Sequence, residues 1–312
     1  MGWRNNMIKT SKYNNKECSL YQECEIGMKV SVIGSGVVGQ ATGMGLAHHG
    51  NDVMFNDIDE NKMSYLEKKG YRVTSQIVEA VCDSDIVFVC VPTPTNNNHM
   101  DLTFIHSSID VLARALKETK NYVVIVFRST ILPQTTRTIL IPALEARSGL
   151  KAGKDFGVCM NPEFLREKSP LDDFLNPSRI VIGEFDEKSG DILESIYSSF
   201  NCPIVRTDLD SAEMIKYVSN LFLASKISFF NEIFLTCNAL GLDATSVSEA
   251  VSLDPRIGKY GIYGGSPFDG MCLPKDLAAF LAFAKSKGLS SKMLDAVDEV
   301  NRAITLFNSK RG

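Results

Sequence analysis

From Met28 onward, short apolar runs alternate with stretches in which apolar residues recur every three or four positions. KVSVIG (29–34), DVMFND (52–57), DIVFVCV (85–91), YVVIVF (122–127), FGVCM (156–160), RIVIGE (179–184) and PIVRT (203–207) read as strands. Helical spacing falls between them, over Val37–His49, 60–69, 103–118, about 134–147 and near 187–199. Strands alternating with helices predict parallel βαβ units under right-handed crossovers.

The pattern changes after Thr207. A single long helix is expected from Leu209 to Leu240, ended by Gly241. Shorter helices follow near 243–252, 275–288 and 291–307. Residues 254–273 form a loop rich in Gly, Pro and Tyr, and a loop of that length without structure of its own is usually functional. Residues 1–27 are polar and without period, and are expected to be a mobile extension. The boundaries expected are therefore 1–27, 28–207 and 208–312.

Composition adds mainly exclusions. The 312 residues are 44 % hydrophobic and 22 % charged, which fits a globular protein with two cores. A net charge of −4 gives no basic field for nucleic acid or anionic membranes. No run approaches the length of a membrane helix, and no export signal is legible, so a cytoplasmic protein is expected. None of the eight cysteines forms a C-x-x-C pair or a zinc spacing, so no metal is expected. Cys82, Cys90, Cys159 and Cys237 read as small core residues, and free thiols fit a reducing compartment. The four histidines sit near helix ends and a loop and read as structural or solvent-facing, which weakens a histidine-based hydrolase or dehydrogenase.

Strand 29–34 runs straight into Gly34-Ser35-Gly36-Val37-Val38-Gly39. In that place Gly34 allows the tight turn, Gly36 lets backbone approach a pyrophosphate, and Gly39 permits close helix–strand packing. The second strand ends in Asp57, placed to bond a ribose 2′-hydroxyl and to repel a 2′-phosphate, which favours NAD over NADP. Lys62 either touches the adenosine end or is a solvated lysine. VPTPT (91–95) ends the third strand at the ligand-binding edge of the sheet. The fold class is thus α/β: a Rossmann-like doubly wound parallel sheet, then a helical central domain with one long connecting helix.

Four further stretches carry candidate chemistry: FRST (127–130), NPEFLRE (161–167), AEMIKYVSN (212–220) and MCLPKD (271–276). Lys216 and Asn220 share one helix face, either to hold an oxyanion or as a solvated surface pair. Cys272 lies just before a helix start marked by Pro274, with Lys275 near, which favours the thiolate. Asp276, one turn on, is placed to orient or deprotonate water. The bland reading of Cys272 is a structural thiol, but its Gly/Pro-rich loop belongs to no core pattern.

Taken in order, GSGVVG, VPTPT, FRST, NPEFLRE, AEMIKYVSN with NEIF (231–234), and CLPKD make the chain resemble the UDP-glucose/GDP-mannose dehydrogenase family from about Met28 to its end. The resemblance implies four-electron oxidation of a sugar-nucleotide C6 alcohol to a carboxylate with two NAD, UDP-glucose to UDP-glucuronate foremost. It implies Cys272 as nucleophile, passing through a thiohemiacetal and a thioester. Lys216 and Asn220 match the oxyanion-stabilising positions and Asp276 the water-handling base, with Thr130 and Glu163 in support. NAD would be held by Gly34, Gly36, Val37, Val38, Gly39, Asp57, Lys62, Pro92, Thr93, Ser129, Thr130, Glu163 and Lys275. The UDP-sugar would meet Phe164, Leu165, Arg166, Glu167, Lys216, Asn220, Tyr260 and Gly270. Arg256 matches an arginine that reaches a neighbouring subunit's sugar-nucleotide, which implies a homodimer through the central helices.

Two departures stand against that pattern. Pro267-Phe268-Asp269-Gly270-Met271 replaces a GFGG-like run, which places a charge near the sugar. Family members continue into a second Rossmann-like domain that helps hold the nucleotide, whereas this sequence stops at Gly312, either as a short form or as a fragment. The competing expectation is a weakly active or non-catalytic NAD-binding module. Retention of Lys216, Asn220, Cys272 and Asp276 together argues against it.

Overall fold

The computed structural model describes residues 27–96 and 98–309. The polar extension and its Cys18 and Cys24 fall almost wholly outside these residues. In chain order the elements are β1 (Lys29–Ile33), α1 (Val37–His48), β2 (Asp52–Asn56), α2 (Glu60–Lys68), β3 (Arg72–Thr74), α3 (Ile77–Cys82), β4 (Ile86–Val89), β5 (Thr95–Asn96), β6 (His99–Met100), α4 (Thr103–Glu118) and β7 (Val124–Phe127). A π-helical turn (Thr136–Leu140) leads into α5 (Ile141–Ser148), followed by β8 (Gly157–Met160), α6 (Pro170–Leu175), β9 (Ile180–Glu184), α7 (Glu187–Ser195) and β10 (Ile204–Asp208). The helices α8 (Leu209–Leu240), α9 (Ala244–Ser252), α10 (Leu273–Ser286) and α11 (Lys292–Ser309) complete the described chain.

The chain divides into two compact units, 27–93 with 102–216, and 94–101 with 217–309. The cut falls inside α8, after Lys216. The first unit holds one eight-stranded sheet in the order β10-β9-β8-β7-β4-β1-β2-β3. Its central strands are wholly buried, because apolar residues cover both faces: Val32, Phe55, Phe88 and Val126 form a row on one face, and Ile33, Val89 and Phe127 a row on the other.

Within this sheet pairing is parallel with one exception: β8 and β9 run antiparallel, Cys159 opposite Glu184 and Met160 opposite Gly183. The expected parallel pairing holds for the rest of the sheet and does not extend to this pair, for a topological reason. A parallel partner needs a crossover that returns the chain to the opposite sheet edge. The link 161–179 contains only the short α6 and enters β9 at the edge where β8 ended. That link therefore keeps NPEFLRE at the carboxyl edge of the sheet, with Phe174 of α6 packed against Gly45 of α1.

Other differences are local. β3 and α3 are too short to show a period, and the β5–β6 hairpin lies inside a run of polar residues. The helix expected over 134–147 begins as a π-turn, and α7 stops at Ser195, short of the expected 199. α8 has its expected bounds, with Gly241 at φ +70° just beyond it.

In the second unit the long loop after α9 is held firmly. Asn231 accepts from Gly265 N at 2.8 Å and donates to Ser266 O at 2.8 Å. Asn301 accepts from Phe268 N at 2.8 Å, and Lys226 donates to Ile257 O at 2.6 Å. No helix among the described residues is long and apolar enough to cross a membrane.

Candidate active site

The β1–α1 turn has the geometry that its glycines require. Gly34 sits at φ +90° and donates to Asn56 O at 2.9 Å. A side chain at Gly39 would run into the Gly34 carbonyl, whereas a Cβ on Gly36 would meet no atom within 4 Å. The cradle is thus open where backbone must approach a ligand and closed where helix meets strand. Val37, at the first position of α1, is exposed, and Val38 is half-buried.

Asp57 follows β2 and is held by the same turn. Its carboxylate accepts from Ser35 N at 2.7 Å and Asp59 N at 2.9 Å. Lys62 Nζ reaches it at 3.3 Å, so this lysine is neither free nor simply solvated. The strand ends opposite are tied together: Thr93 Oγ1 donates to Thr130 O at 2.7 Å, and Ser129 Oγ to Val91 O at 2.6 Å. Pro92 remains exposed between them. The open glycine turn at a helix N-terminus, with a carboxylate at the end of the adjoining strand, fits a dinucleotide.

Glu163, on the link after β8, meets Lys216 within the first unit. Lys216 Nζ donates to Glu163 Oε1 and to its backbone oxygen, each at 2.7 Å. Lys216 is 4 % exposed and Glu163 8 %. Burial removes the solvated-pair reading of Lys216 that its spacing left open. Burial alone would push the Glu163 carboxyl up. The charge and hydrogen bond of Lys216, the Leu165 amide at 2.6 Å and the nearby Arg128 together hold it below the ordinary carboxylate value.

Phe164, Leu165 and Arg166 line a cavity of ≈ 300 Å³ together with Arg128, Arg179 and Tyr197. Arg179 lies over the Phe164 ring at 3.8 Å, and Arg166 is paired with Asp173 at 2.5 Å. Glu167 is exposed.

In the second unit Cys272 is the N-cap of α10, which starts at Leu273 with Pro274 in its first turn. Cys272 is exposed and sits at the positive end of the α10 helix dipole. One turn on, Asp276 is 1 % exposed, and both its oxygens are engaged. Asn220 Nδ2 donates to Oδ2 at 2.6 Å, and Lys275 Nζ to Oδ1 at 2.6 Å. Asn220 is itself buried. Gly270, at φ +80°, and Met271 lead the chain into Cys272, and Asp269 is exposed. Tyr260 is exposed, and Arg256 projects into solvent beside Asp254 at 2.6 Å.

Three buried polar residues escaped the sequence reading: Arg128, Asn161 and Glu213. Each lies inside a quoted motif, but motif position does not tell whether a polar residue is buried. Burial pushes Glu213 up to about 7, against its hydrogen bonds from the Thr136 region. Among the described residues no group of three or more His, Cys, Asp or Glu is placed to hold a metal.

Comparison with known proteins identifies the family. Residues 28–73 and 64–201 match the NAD binding domain of the UDP-glucose/GDP-mannose dehydrogenase family, and residues 210–303 match its central domain. GDP-mannose 6-dehydrogenase of Pseudomonas savastanoi pv. phaseolicola is 36 % identical over 297 residues, covering 88 % of this chain and 68 % of the relative. UDP-glucose 6-dehydrogenase of Bacillus subtilis is 37 % identical over 294 residues, covering 88 % and 62 %. The solved UDP-glucose dehydrogenase from Pyrobaculum islandicum superposes with a TM-score of 0.85 at 34 % identity, over 91 % of this chain and 70 % of that one. The chain belongs to the UDP-glucose/GDP-mannose dehydrogenase family, and its cofactor is NAD.

Proposed function

We propose that the protein oxidises the C6 alcohol of a nucleotide sugar to the carboxylate, with UDP-glucose as first candidate and Cys272 as nucleophile. The observation that carries this is the cap of α10: an exposed thiol at a helix start, one turn before a buried carboxylate held by Lys275 and Asn220. GDP-mannose is the second candidate, since relatives with either substrate in their names are about equally similar.

Bound NAD accepts the hydride at each of the two oxidations. The residues divide the remaining work. The glycine turn and Asp57 hold the dinucleotide, with Val37, Val38, Pro92, Thr93, Ser129 and Thr130 around it. The Cys272 thiolate adds to the aldehyde carbon, which converts a carbon with no alcohol hydrogen to lose into a thiohemiacetal that has one. After the second oxidation a thioester joins Cys272 to the sugar. Water adds to its carbonyl, the C–S bond breaks, and the carboxylate, the Cys272 thiolate and two protons result. Lys216 and Asn220 stabilise the oxyanion at each tetrahedral stage. Asp276 orients the water, with Glu163 in support. The sugar nucleotide is met by Phe164, Leu165, Arg166, Glu167, Tyr260 and Gly270.

A homodimer is part of the same proposal. Val218, Phe222 and Phe229 are all more than half exposed and recur along one stripe of α8, an apolar face that a second copy would cover. Arg256 would then serve the partner's substrate. The six described cysteines are free thiols, which supports a reducing, cytoplasmic setting. Incubation with NAD and UDP-glucose, GDP-mannose or UDP-N-acetyl-hexosamines tests the substrate. Turnover with UDP-glucose foremost is expected. NAD binding without turnover of any of them would favour a non-catalytic module.

A further inference from the structure

The cavity walled by the link 161–179 holds ≈ 300 Å³, the lower end of the range for small-molecule sites. Its floor is buried and includes Arg128, Asn161, Phe174 and Tyr197. Its mouth is exposed at Arg166, Asn176 and Ser178. The glycine turn, Lys216, Asn220, Cys272 and Asp276 take no part in the lining, which shares only residues 163–166 with the proposed chemistry.

Arg128 is 5 % exposed, and its hydrogen-bond partners are neutral. Its Nη1 donates to Asn161 O at 3.3 Å and to Asn161 Oδ1. The same Oδ1 accepts from the Tyr197 hydroxyl at 2.7 Å, while Asn161 Nδ2 donates to Val181 O at 2.7 Å. Arg128 Nε is buried without a hydrogen-bond partner. A second guanidinium, Arg179, lies over the Phe164 ring at 3.8 Å and donates to Ser178 Oγ at 3.2 Å. Burial pulls its pKa below the ordinary arginine value. Two carboxylates also line the cavity, and both are already engaged. Glu163 is held by Lys216 and the Leu165 amide, and Asp173 by Arg166 through both oxygens.

A buried guanidinium with an unused N–H and neutral partners favours an anion beside it. The planar guanidinium fork matches a planar carboxylate. Phe164 and Phe174 offer the rest of the volume to a carbon skeleton, which inorganic phosphate would leave unused. The Ser178 hydroxyl and Asn176 at the mouth suit hydroxyl groups. We propose that this cavity is a further ligand site, for a small hydroxylated carboxylate of the sugar-acid class, with Arg128 and Arg179 as its anion-binding residues. Arg128 directly follows β7 and Arg179 directly precedes β9, so the bound anion would brace loop 161–166 against both strand ends.

Calorimetric titration of the full chain without NAD tests this, with glucuronate as probe and glucose and inorganic phosphate as controls. Glucuronate should bind saturably at one site per chain, glucose should not bind, and phosphate should bind more weakly. Arg179→Gln should weaken glucuronate by about tenfold or more. Absence of glucuronate binding, equal binding of phosphate, or an unchanged affinity in Arg179→Gln overturns the proposal. If that variant does not fold, amide exchange of the wild type decides. Glucuronate should slow exchange in residues 161–166 and 176–180, and protection elsewhere alone overturns the site. Saturating UDP-glucose should not displace the probe, and displacement would put glucuronate in the substrate site and overturn the proposal. These readings need no turnover, so failure of the proposed oxidation would be seen separately.

Discussion

Asn220 Nδ2 donates to Asp276 Oδ2 at 2.6 Å, and this bond fixes the buried carboxylate one turn after Cys272. Lys275 holds the other oxygen, so Asp276 has one neutral and one cationic anchor. Asn220→Ala should leave Oδ2 without its donor in a site that is 1 % exposed. A stability loss of about 1–3 kcal/mol is expected in denaturant unfolding. Turnover should fall by about 10²- to 10³-fold, as for loss of one oxyanion donor. Unchanged kcat would remove Asn220 from the proposed chemistry.

The two glycines at the β1–α1 turn should separate folding from binding. Gly39→Ala sets a methyl against the Gly34 carbonyl and is expected to destabilise the first unit severely. At Gly36 a methyl meets no protein atom, so Gly36→Ala should keep the wild-type Tm and lose NAD affinity. Calorimetric titration with NAD, beside thermal melts of both variants, checks the contrast.

Asp57 is expected to choose the cofactor. In Asp57→Ala, loss of charge-assisted bonds to the ribose should weaken NAD by about 10- to 100-fold. The same change should narrow the preference for NAD over NADP, since the repelling carboxylate is gone. Equal loss for both dinucleotides would place Asp57 in the scaffold only.

Glu213 should make stability fall as pH rises. Its folded carboxyl holds its proton up to about 7, whereas the unfolded chain releases it near 4.5. Above the folded value both states are ionised and the burial cost is fully expressed; below the unfolded value it is absent. The loss therefore accrues between about 4.5 and about 7, and amounts to roughly 3 kcal/mol at most. Glu213→Gln should flatten that part of the profile in urea unfolding at several pH values.

What the sequence made legible follows from which features have a period or a stop signal. α8 was readable because a long helical pattern ends at Gly241, and the α10 cap because Pro274 marks a first turn. The antiparallel β9 was not, since a strand's composition carries no direction. Nor was the Arg128–Asn161–Tyr197 network, because a charge beside an apolar strand looks the same whether it is buried or solvated. The spacing of Lys216 and Asn220 placed them on one face, but only the fold shows that both are buried.

The central claim is that Cys272 carries a covalent intermediate between two oxidations. The most direct measurement is the number of NADH formed per uronate produced from the nucleotide sugar, in wild type and in Cys272→Ala. Wild type should give two, and Cys272→Ala should form no acid. A wild-type ratio of one, or acid formed by Cys272→Ala at the wild-type rate, would contradict it.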